Sequence, residues 1–402
     1  MFRSLKHRNF RLFIGGQGIS LTGTWMQQIA MCWLVYRLTG SALLLGTVGF
    51  LGQLPAFLFS PIAGVMADRY DKRKMLIIVQ SLAMIQAFIL AALVLSGKIE
   101  IWHIIAMSIL LGFANAFDMP IRQSFMIEML GGREDLSNAI ALNSSIVNAA
   151  RILGPSLAGI LVAAVGEGLC FLLNGLSFIA VLIALYAMDI APLNGKPRSE
   201  KLWTELKAGY SYLAATPPLL HIILLLGVVS LFGMSFQVLM PVYVKDVLHG
   251  GPKTLGFLMS VMGAGALTST VLLASQKDPF RFLKLISTAT VAFGFGLVLI
   301  SQVGALAAAL LGMSIVGTSI MAQLVSSNTT LQTIAEDRMR GRVMAYYTMA
   351  FLGLAPFGSL YAGTLAQSLG VQRAFLIGGL ICASAGAVFA SRISALRNAG
   401  KL

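Results

Sequence analysis

The segment 64–74 has the sequence GVMADRYDKRK and places six charged side chains between two long apolar runs. Short charged stretches of this kind are typical of cytoplasmic loops in polytopic membrane proteins, because Lys and Arg are concentrated in those loops. We therefore predict that the apolar runs on both sides of 64–74 are membrane-spanning helices.

The composition of the whole chain supports a membrane protein. Of the 402 residues, 57% are hydrophobic and only 11% are charged, and the mean hydropathy is +0.84. Soluble domains carry about 25% charged residues. Because this small number of polar groups could not cover the protein surface in water, we expect the lipid bilayer to solvate most of that surface.

The net charge of +14 and the pI of about 10.0 do not indicate a nucleic-acid-binding protein. Binding along a phosphate backbone needs a continuous basic stripe, whereas the basic residues here stand in small groups between apolar runs. We expect no nucleic-acid partner.

The residue types that enzymes and metal sites use are scattered along the chain. Cys32, Cys170 and Cys382 lie in separate apolar runs and are too few for a disulfide framework or a zinc site. None of the four histidines has a Cys, Asp or Glu at metal-ligand spacing, and no phosphate-binding loop motif is present. We predict that the protein is not an enzyme, holds no metal or other cofactor, and does not use ATP.

Twelve apolar runs are long enough to cross about 30 Å of hydrocarbon as helices that rise about 1.5 Å per residue. They lie near residues 12–37, 43–67, 75–96, 101–128, 137–165, 168–189, 217–244, 254–276, 282–302, 305–334, 342–367 and 372–394. We predict an all-α polytopic membrane protein with twelve transmembrane helices in two pseudo-symmetric six-helix bundles, 1–190 and 217–402. Residues 191–216 are predicted to form a cytoplasmic linker with an amphipathic helix, because their apolar residues recur at helical spacing.

The distribution of Lys and Arg predicts the orientation in the membrane. Twenty-three of the 29 basic residues lie on the side of the N terminus, and five lie on the opposite side. Because basic residues are enriched in cytoplasmic loops, we predict that both termini are cytoplasmic.

The two halves of the chain resemble each other. The sequence GFL at 49–51 recurs at 256–258, an offset of 207 residues, and Gly159 recurs as Gly363 at an offset of 204. Internal repeats are typical of secondary transporters, whose substrate sites lie between the repeats near the middle of the membrane. Transport is therefore the leading hypothesis.

With twelve spans, a central linker and the 64–74 segment, the chain resembles the major facilitator superfamily over essentially its whole length. The superfamily's loop signature is a Gly, an Asp-Arg pair and a basic pair. The matching residues are Gly64, Asp68, Arg69, Lys72 and Arg73. The resemblance implies that this segment forms a cytoplasmic gate. For Asp71, Lys72 and Lys74 the favoured alternative is a solvated position that only sets the topology.

The fifth span contains Gly154, Pro155 and Gly159, similar to the Gly-Pro motif of exporters in this superfamily. Proline removes a backbone hydrogen bond and glycine permits close approach, so this helix can bend and pack tightly. The blocks RNFRLFIGGQGIS at 8–20 and LMPVYVKDVLHGG at 239–251 are similar to the enterobactin exporter and macrolide-efflux branch. This resemblance implies an efflux protein of the bacterial inner membrane. Another superfamily motif, an Arg early in span four, is absent.

Three charged residues lie well inside predicted spans, where a charge is costly and indicates function. Asp118 and Arg122 are one turn apart in span four, and Arg151 lies in span five. In the functional interpretation, Asp118 either exchanges a proton or binds a cationic group of the substrate, and Arg151 meets an anionic cargo group. In the structural interpretation, Asp118 forms a permanent ion pair that holds spans four and five in register.

Polar side chains recur at helical spacing in several spans, so each set lies on one helical face. The superfamily resemblance implies that spans one, four, seven and ten surround a central cavity. The predicted cavity residues are Gln17, Ser20, Thr24, Gln27, Gln28, Asn115, Gln237, Gln323, Asn328 and Gln332. In span one, either Gln27 or Gln28 completes the polar face.

The leading hypothesis is a proton-coupled exporter of a small amphiphilic molecule, such as a drug, a macrolide or a siderophore-like compound, that works by alternating access. We expect an ion gradient, most simply of H⁺, to drive a monomer whose partners are its cargo and the bilayer. The alternatives are an importer or lipid facilitator of the same fold and a membrane scaffold that transports nothing.

Overall fold

The computed structural model describes residues 3–132, 134–190, 202–273, 279–336 and 338–398, and this part of the chain is helical and contains no strand. A short 3₁₀ helix, Arg3–Lys6, precedes the first α-helix. The α-helices are α1 (Arg8–Thr39), α2 (Ala42–Arg69), α3 (Lys72–Leu95), α4 (Ile101–Leu130), α5 (Leu136–Val165), α6 (Glu167–Ala187), α7 (Leu202–Ala214), α8 (Pro217–Val228), α9 (Phe236–Val242), α10 (Pro252–Leu273), α11 (Pro279–Gln302), α12 (Leu306–Ile334), α13 (Arg340–Thr348), α14 (Ala355–Leu369) and α15 (Val371–Asn398).

Within these residues, eleven helical segments are long and apolar enough to cross a membrane. The predicted first span corresponds to α1, which has 32 residues and reaches about 48 Å at 1.5 Å per residue. It is too polar to meet the same apolarity criterion, because its glutamines and hydroxyl residues lower its hydropathy. The all-α, polytopic character predicted from the sequence is confirmed.

Two of the predicted spans are not continuous α-helices. The π-helical turns Val229–Gly233 and Tyr243–Val247 follow α8 and α9, and a third, Met349–Gly353, separates α13 from α14. Pro356 in the first turn of α14 lacks the N–H that a continuous helix would use. The Ser230 hydroxyl donates to the Phe351 carbonyl over 2.6 Å, which joins two of these irregular turns.

The chain divides into two compact units. Unit one comprises residues 1–40, 51–197 and 250–260, and unit two comprises 41–50, 198–249 and 261–402. The first part of α2 thus belongs to unit two, and the first part of α10 belongs to unit one. The predicted bundle boundaries at 190 and 217 stay a prediction; of the predicted linker, 191–201 lie outside the described residues, and α7 begins at Leu202.

In unit one, α1 packs against α5 and α6, and α3 packs against α4 and α6. The aromatic side chains of Phe10, Phe13 and Phe125 are fully buried beside Leu76 at the end of the unit that carries segment 64–74. In unit two, α11 packs against α12 and α15.

Close crossings of two glycines occur in both units. In unit one, a methyl group on Gly159 of α5 would lie 2.9 Å from Cα of Gly256, and in unit two a methyl group on Gly363 of α14 would lie 2.8 Å from Cα of Gly46. The helix backbones approach this closely because neither partner has a side chain. Gly46 and Gly256 therefore occupy equivalent positions in the two crossings, which gives an offset of 210 residues. The offset of 207 from the sequence match differs from this by three residues, about one helical turn.

Candidate functional site

A polar cavity of about 90 Å³ lies inside unit one, among α1, α3, α4 and α6. Its lining residues are Gln17, Ser20, Leu21, Thr24, Gln27, Val79, Gln80, Ala83, Leu111, Ala114, Asn115, Asp118, Arg122, Asn174 and Phe178. The structure thus brings the polar face of α1 together with the charged pair of α4. A cavity needs about 10–15 Å³ of this kind of volume to hold one water molecule, so there is room for several. Sites for drug-sized ligands are larger, roughly 300–1,000 Å³.

The Asp118 carboxylate lines this cavity. Arg122 Nη2 lies 3.0 Å from Asp118 Oδ2, and Gln80 Nε2 donates to Asp118 Oδ1 over 2.6 Å. The ion pair forms because residues four apart share one face of a helix. The carboxylate therefore has one charged partner from its own helix and one neutral partner from α3.

Three buried polar atoms around Asp118 have no hydrogen-bond partner in the described part of the chain. They are Gln17 Oε1, Gln80 Oε1 and Arg122 Nη1, two acceptors and one donor. Because buried polar groups in a membrane protein need partners, these atoms equip the cavity to bind water or a protonated group.

A second set of amides connects α1, α3 and α6 at one end of the cavity. Gln27 Nε2 donates to Gln86 Oε1 over 2.9 Å, and Asn174 Nδ2 donates to Gln27 Oε1 over 2.8 Å. Asn174 fits only because Gly23 faces it, since a methyl group on Gly23 would lie 2.5 Å from Asn174 Oδ1. Gln27 therefore belongs to the polar face, whereas Gln28 is exposed.

Sequence reasoning missed Gln80, Gln86 and Asn174. Gln80 and Gln86 are the two amides of span three, and Asn174 is the single amide of span six; an amide within an otherwise apolar span is the signal that could have identified them. The pairing itself could not be read from the sequence, because it depends on which helices are neighbours.

Arg151 does not join the Asp118 pair. Its guanidinium carbon lies 5.2 Å from the centroid of the Trp25 ring, and its Nε is buried without a hydrogen-bond partner in the described residues. The expected charge network of Asp118, Arg122 and Arg151 is therefore two separate features, because α5 faces α1 at this height and not α4.

The remaining predicted cavity residues belong to unit two. Gln323 of α12 is buried, and neither atom of its amide has a partner within the described chain. Gln332 is exposed and donates to Asn328 Oδ1 over 2.6 Å, and Gln237 is partly buried. The buried hydroxyl groups of Ser326, Ser327 and Thr330 follow Gln323 along α12 and are also unpartnered among the described residues.

Within segment 64–74, Lys72 packs against α4. Lys72 Nζ lies 2.6 Å from Glu128 Oε1 of α4, and the Lys72 side chain is only 15% exposed. Asp71 accepts a hydrogen bond from the backbone N–H of Lys74 and caps α3. Lys72 is therefore not solvated, contrary to the expectation, whereas Asp71 is exposed as expected and in addition caps α3. Lys74 itself is exposed.

The other residues of the predicted gate are described in part. Arg73 donates to the carbonyl oxygens of Leu185 and Tyr186 over 2.7 and 2.8 Å, so it caps the end of α6. Arg69 is exposed, whereas the surroundings of Gly64 and the side chain of Asp68 are outside the described part of the structure.

The N-terminal 3₁₀ helix is attached to the start of α5. Lys6 Nζ and His7 Nε2 lie 2.8 and 2.9 Å from Asp135 Oδ2, and the Ser4 backbone N–H donates to Asn138 Oδ1 over 2.9 Å. Hydrogen bonds from Lys6 and His7 lower the pKa of the Asp135 carboxyl. This cluster fixes the chain terminus to unit one.

The family model for transmembrane secretion effectors, a branch of the major facilitator superfamily, matches residues 1–400. The chain belongs to this family. It is a transporter and not an enzyme.

Relatives of this transporter carry names of efflux and transport proteins. It is 27% identical to the staphyloferrin A transporter of Staphylococcus aureus, with 92% of each chain covered. It is 25% identical to the multidrug efflux pump Tap of Mycolicibacterium fortuitum (96% and 95% covered) and 23% identical to macrolide efflux protein A of Streptococcus pyogenes (94% and 95% covered).

Solved structures share the fold of this transporter. A transporter of the POT family in complex with 5-aminolevulinic acid matches with a TM-score of 0.76 at 11% identity, covering 97% of this chain and 96% of the other. A bacterial homologue of the human lysosomal transporter Spinster matches with a TM-score of 0.74 at 13% identity, covering 96% and 97%. The transporter therefore has the major facilitator fold.

Proposed function

We propose that this transporter is a proton-coupled exporter of a small amphiphilic molecule that works by alternating access. The observation that carries the proposal is the Asp118 carboxylate, paired with Arg122 and Gln80 beside a cavity of water-sized volume in unit one. An ionisable group inside a membrane span is costly and marks ion or substrate pathways.

The partners of Asp118 suit a group that changes its protonation state. Ionised Asp118 accepts from Arg122 and from the Gln80 amide N–H. Once protonated, Asp118 carries no negative charge to attract Arg122, and its new O–H needs a hydrogen-bond acceptor. Gln80 Oε1 is buried and unpartnered among the described residues, so a rotation of the Gln80 amide supplies that acceptor. Loss of the ion pair then releases Arg122 and biases the conformational equilibrium.

The direction of transport and the cargo are proposed from resemblance and from the names of relatives. The Gly154-Pro155 motif of α5 and the drug- and macrolide-efflux relatives favour export. The cargo is of the drug, macrolide or siderophore type, and the driving force is the H⁺ gradient without a bound cofactor. We further propose a monomer in the bacterial inner membrane with both termini in the cytoplasm, as the excess of basic residues on that side favours.

Transport by purified full-length protein in liposomes tests this proposal. An inside-acidic pH gradient should drive uptake of ethidium or erythromycin in exchange for internal protons, and nigericin should stop that uptake by collapsing the gradient. Asp118→Asn should abolish gradient-driven uptake but retain exchange of labelled for unlabelled probe. Asp189→Asn, which neutralises an exposed acid, should behave like the wild type.

Gradient-driven uptake by Asp118→Asn at the wild-type rate would return Asp118 to a structural role. Uptake that nigericin leaves unchanged would contradict proton coupling, and efficient inward transport only, in oriented vesicles, would support the importer.

A further inference from the structure

Arg151 is a charged side chain in the interior of a span without a carboxylate partner in the described chain. In the described spans, Asp118, Arg122 and Arg151 are the only charged residues at least two helical turns from a span end. Asp118 and Arg122 neutralise each other. The interior of unit one therefore carries the uncompensated positive charge of Arg151.

The neighbours of Arg151 hold its guanidinium in a defined place. The group lies over the Trp25 ring at 5.2 Å, a favourable cation–π distance. One turn further along α5, a methyl group on Gly154 would lie 2.5 Å from Trp25 Cβ and 2.9 Å from the Thr22 carbonyl oxygen. Close contact of α5 with α1 at Gly154 thus fixes Trp25 under Arg151.

This arrangement leaves hydrogen-bond donors of Arg151 available. A guanidinium has five N–H donors and no acceptor. Contact with the face of an aromatic ring gives none of these donors an in-line hydrogen bond. The buried Nε has no acceptor among the described residues, and Arg151 is only partly exposed. An unpaired cation in an apolar span is costly, and an anion that accepts from the unused donors would lower that cost.

We infer that Arg151 and Trp25 form a subsite for the oxyanion of an amphiphilic cargo, with a carboxylate as the preferred group. The planar guanidinium matches a carboxylate in two parallel hydrogen bonds, and the indole ring offers an apolar wall to the part of the cargo next to that group. This inference rests on the proposed transport function, because it names the cargo chemistry of the same protein. It separates cargo recognition at Arg151 from proton exchange at Asp118.

An anionic lipid headgroup presents the same oxyanion chemistry as a cargo carboxylate, so the experiment must separate the two sources. Full-length protein is placed in nanodiscs of phosphatidylcholine, and the fluorescence of dansylaminoundecanoate and of its methyl ester reports binding. The same titrations are repeated in discs that contain phosphatidylglycerol.

We expect the wild type to bind the carboxylate probe about tenfold more tightly than the ester, since a hydrogen bond to a charged group discriminates by about that factor or more. Arg151→Gln should remove the preference, and Arg151→Lys should retain part of it because the charge remains without the planar fork. Lys98→Gln, which removes an exposed charge of unit one, should keep the full preference. Melting temperatures of all variants show whether they are folded.

A wild type without preference for the carboxylate, or an Arg151→Gln protein with undiminished preference, overturns the inference. Competition by phosphatidylglycerol that disappears in Arg151→Gln overturns the cargo assignment and identifies a lipid site. A wild type that transports the carboxylate probe along the pH gradient but binds it no better than the ester contradicts only this inference. A wild type that prefers the carboxylate probe but does not transport it along the pH gradient contradicts only the proposed function.

Discussion

The two units differ in the hydrogen bonding and charge of their buried polar side chains. In unit one, polar side chains from α1, α3, α4 and α6 bond to one another and surround an ion pair. In unit two, the buried polar face of α12 carries no charge, and its members Gln323, Ser326, Ser327 and Thr330 are unpartnered within the described chain. Among the described residues, the buried ion pair Asp118–Arg122 therefore lies in unit one, whereas unit two contains the irregular π-helical turns that let helices bend.

Arg122→Gln, compared with Gln323→Leu, is the change with the largest expected effect. Removing the guanidinium leaves the Asp118 carboxylate in its span without its counter-ion, so the ion pair that proton exchange would break and re-form is lost. We expect pH-driven uptake of ethidium to fall to the level of Asp118→Asn. Gln323→Leu removes no charge and should leave the pH dependence of uptake unchanged. An equal loss of coupling in the two variants would remove the distinction between the units.

Asn174→Leu, compared with Ser327→Ala, tests the stability of the two polar interiors. The first change leaves Gln27 Oε1 buried without its donor and should lower the free energy of unfolding by about 1–3 kcal/mol. Ser327→Ala removes a hydroxyl that has no partner in the described residues, so we expect a change within about 0.5 kcal/mol. Thermal unfolding in detergent, followed by tryptophan fluorescence, measures both. A larger loss from Ser327→Ala would show that the hydroxyl face of α12 is the more tightly bonded interior.

The glycine crossings are the feature in which the units should agree. A methyl group on Gly159 or Gly363 would approach a backbone atom of the facing helix to 2.8 or 2.7 Å. Each Gly→Ala change should therefore cost about 1–2 kcal/mol through overpacking, and the two costs should be similar. Gly15→Ala is the control, because nothing lies within 4 Å of a methyl group there. Thermal unfolding measures both losses in the free energy of unfolding. Clearly unequal losses at Gly159 and Gly363 would show that the two crossings are not packed alike.

Asp135→Asn should have the smallest effect, because ion pairs near the surface contribute little. The pKa of Asp135 is lowered by Lys6 and His7, so its stabilisation is present above the unfolded pKa of about 3.9 and is lost as the pH falls through the lowered folded value. The melting temperatures of wild type and variant should differ slightly at neutral pH and converge under acid conditions below about pH 4. Convergence on raising the pH instead would have the wrong sign for this cluster.

Much of the fold was readable from the sequence because apolar runs and basic loop residues directly reflect the membrane. The polar face of α1 was also readable, since the spacing of Gln17, Ser20 and Thr24 depends on one helix alone. The partners of these residues were not readable, because Gln80 and Asn174 come from helices whose neighbours are set by packing. Arg151 shows the same limit: its span was identified, but its contact with Trp25 depends on Gly154 bringing α5 close to α1.

The measurement that tests the central claim most directly is infrared difference spectroscopy of the full-length protein during a pH titration. A protonated carboxyl group has a separate C=O band, so the band reports protonation without any assumption about cargo. The acidic residues together give a titrating absorption, and we expect one component of it to be absent from Asp118→Asn and retained in Asp189→Asn. A spectrum in which the same bands titrate in wild type and Asp118→Asn would contradict proton exchange at Asp118.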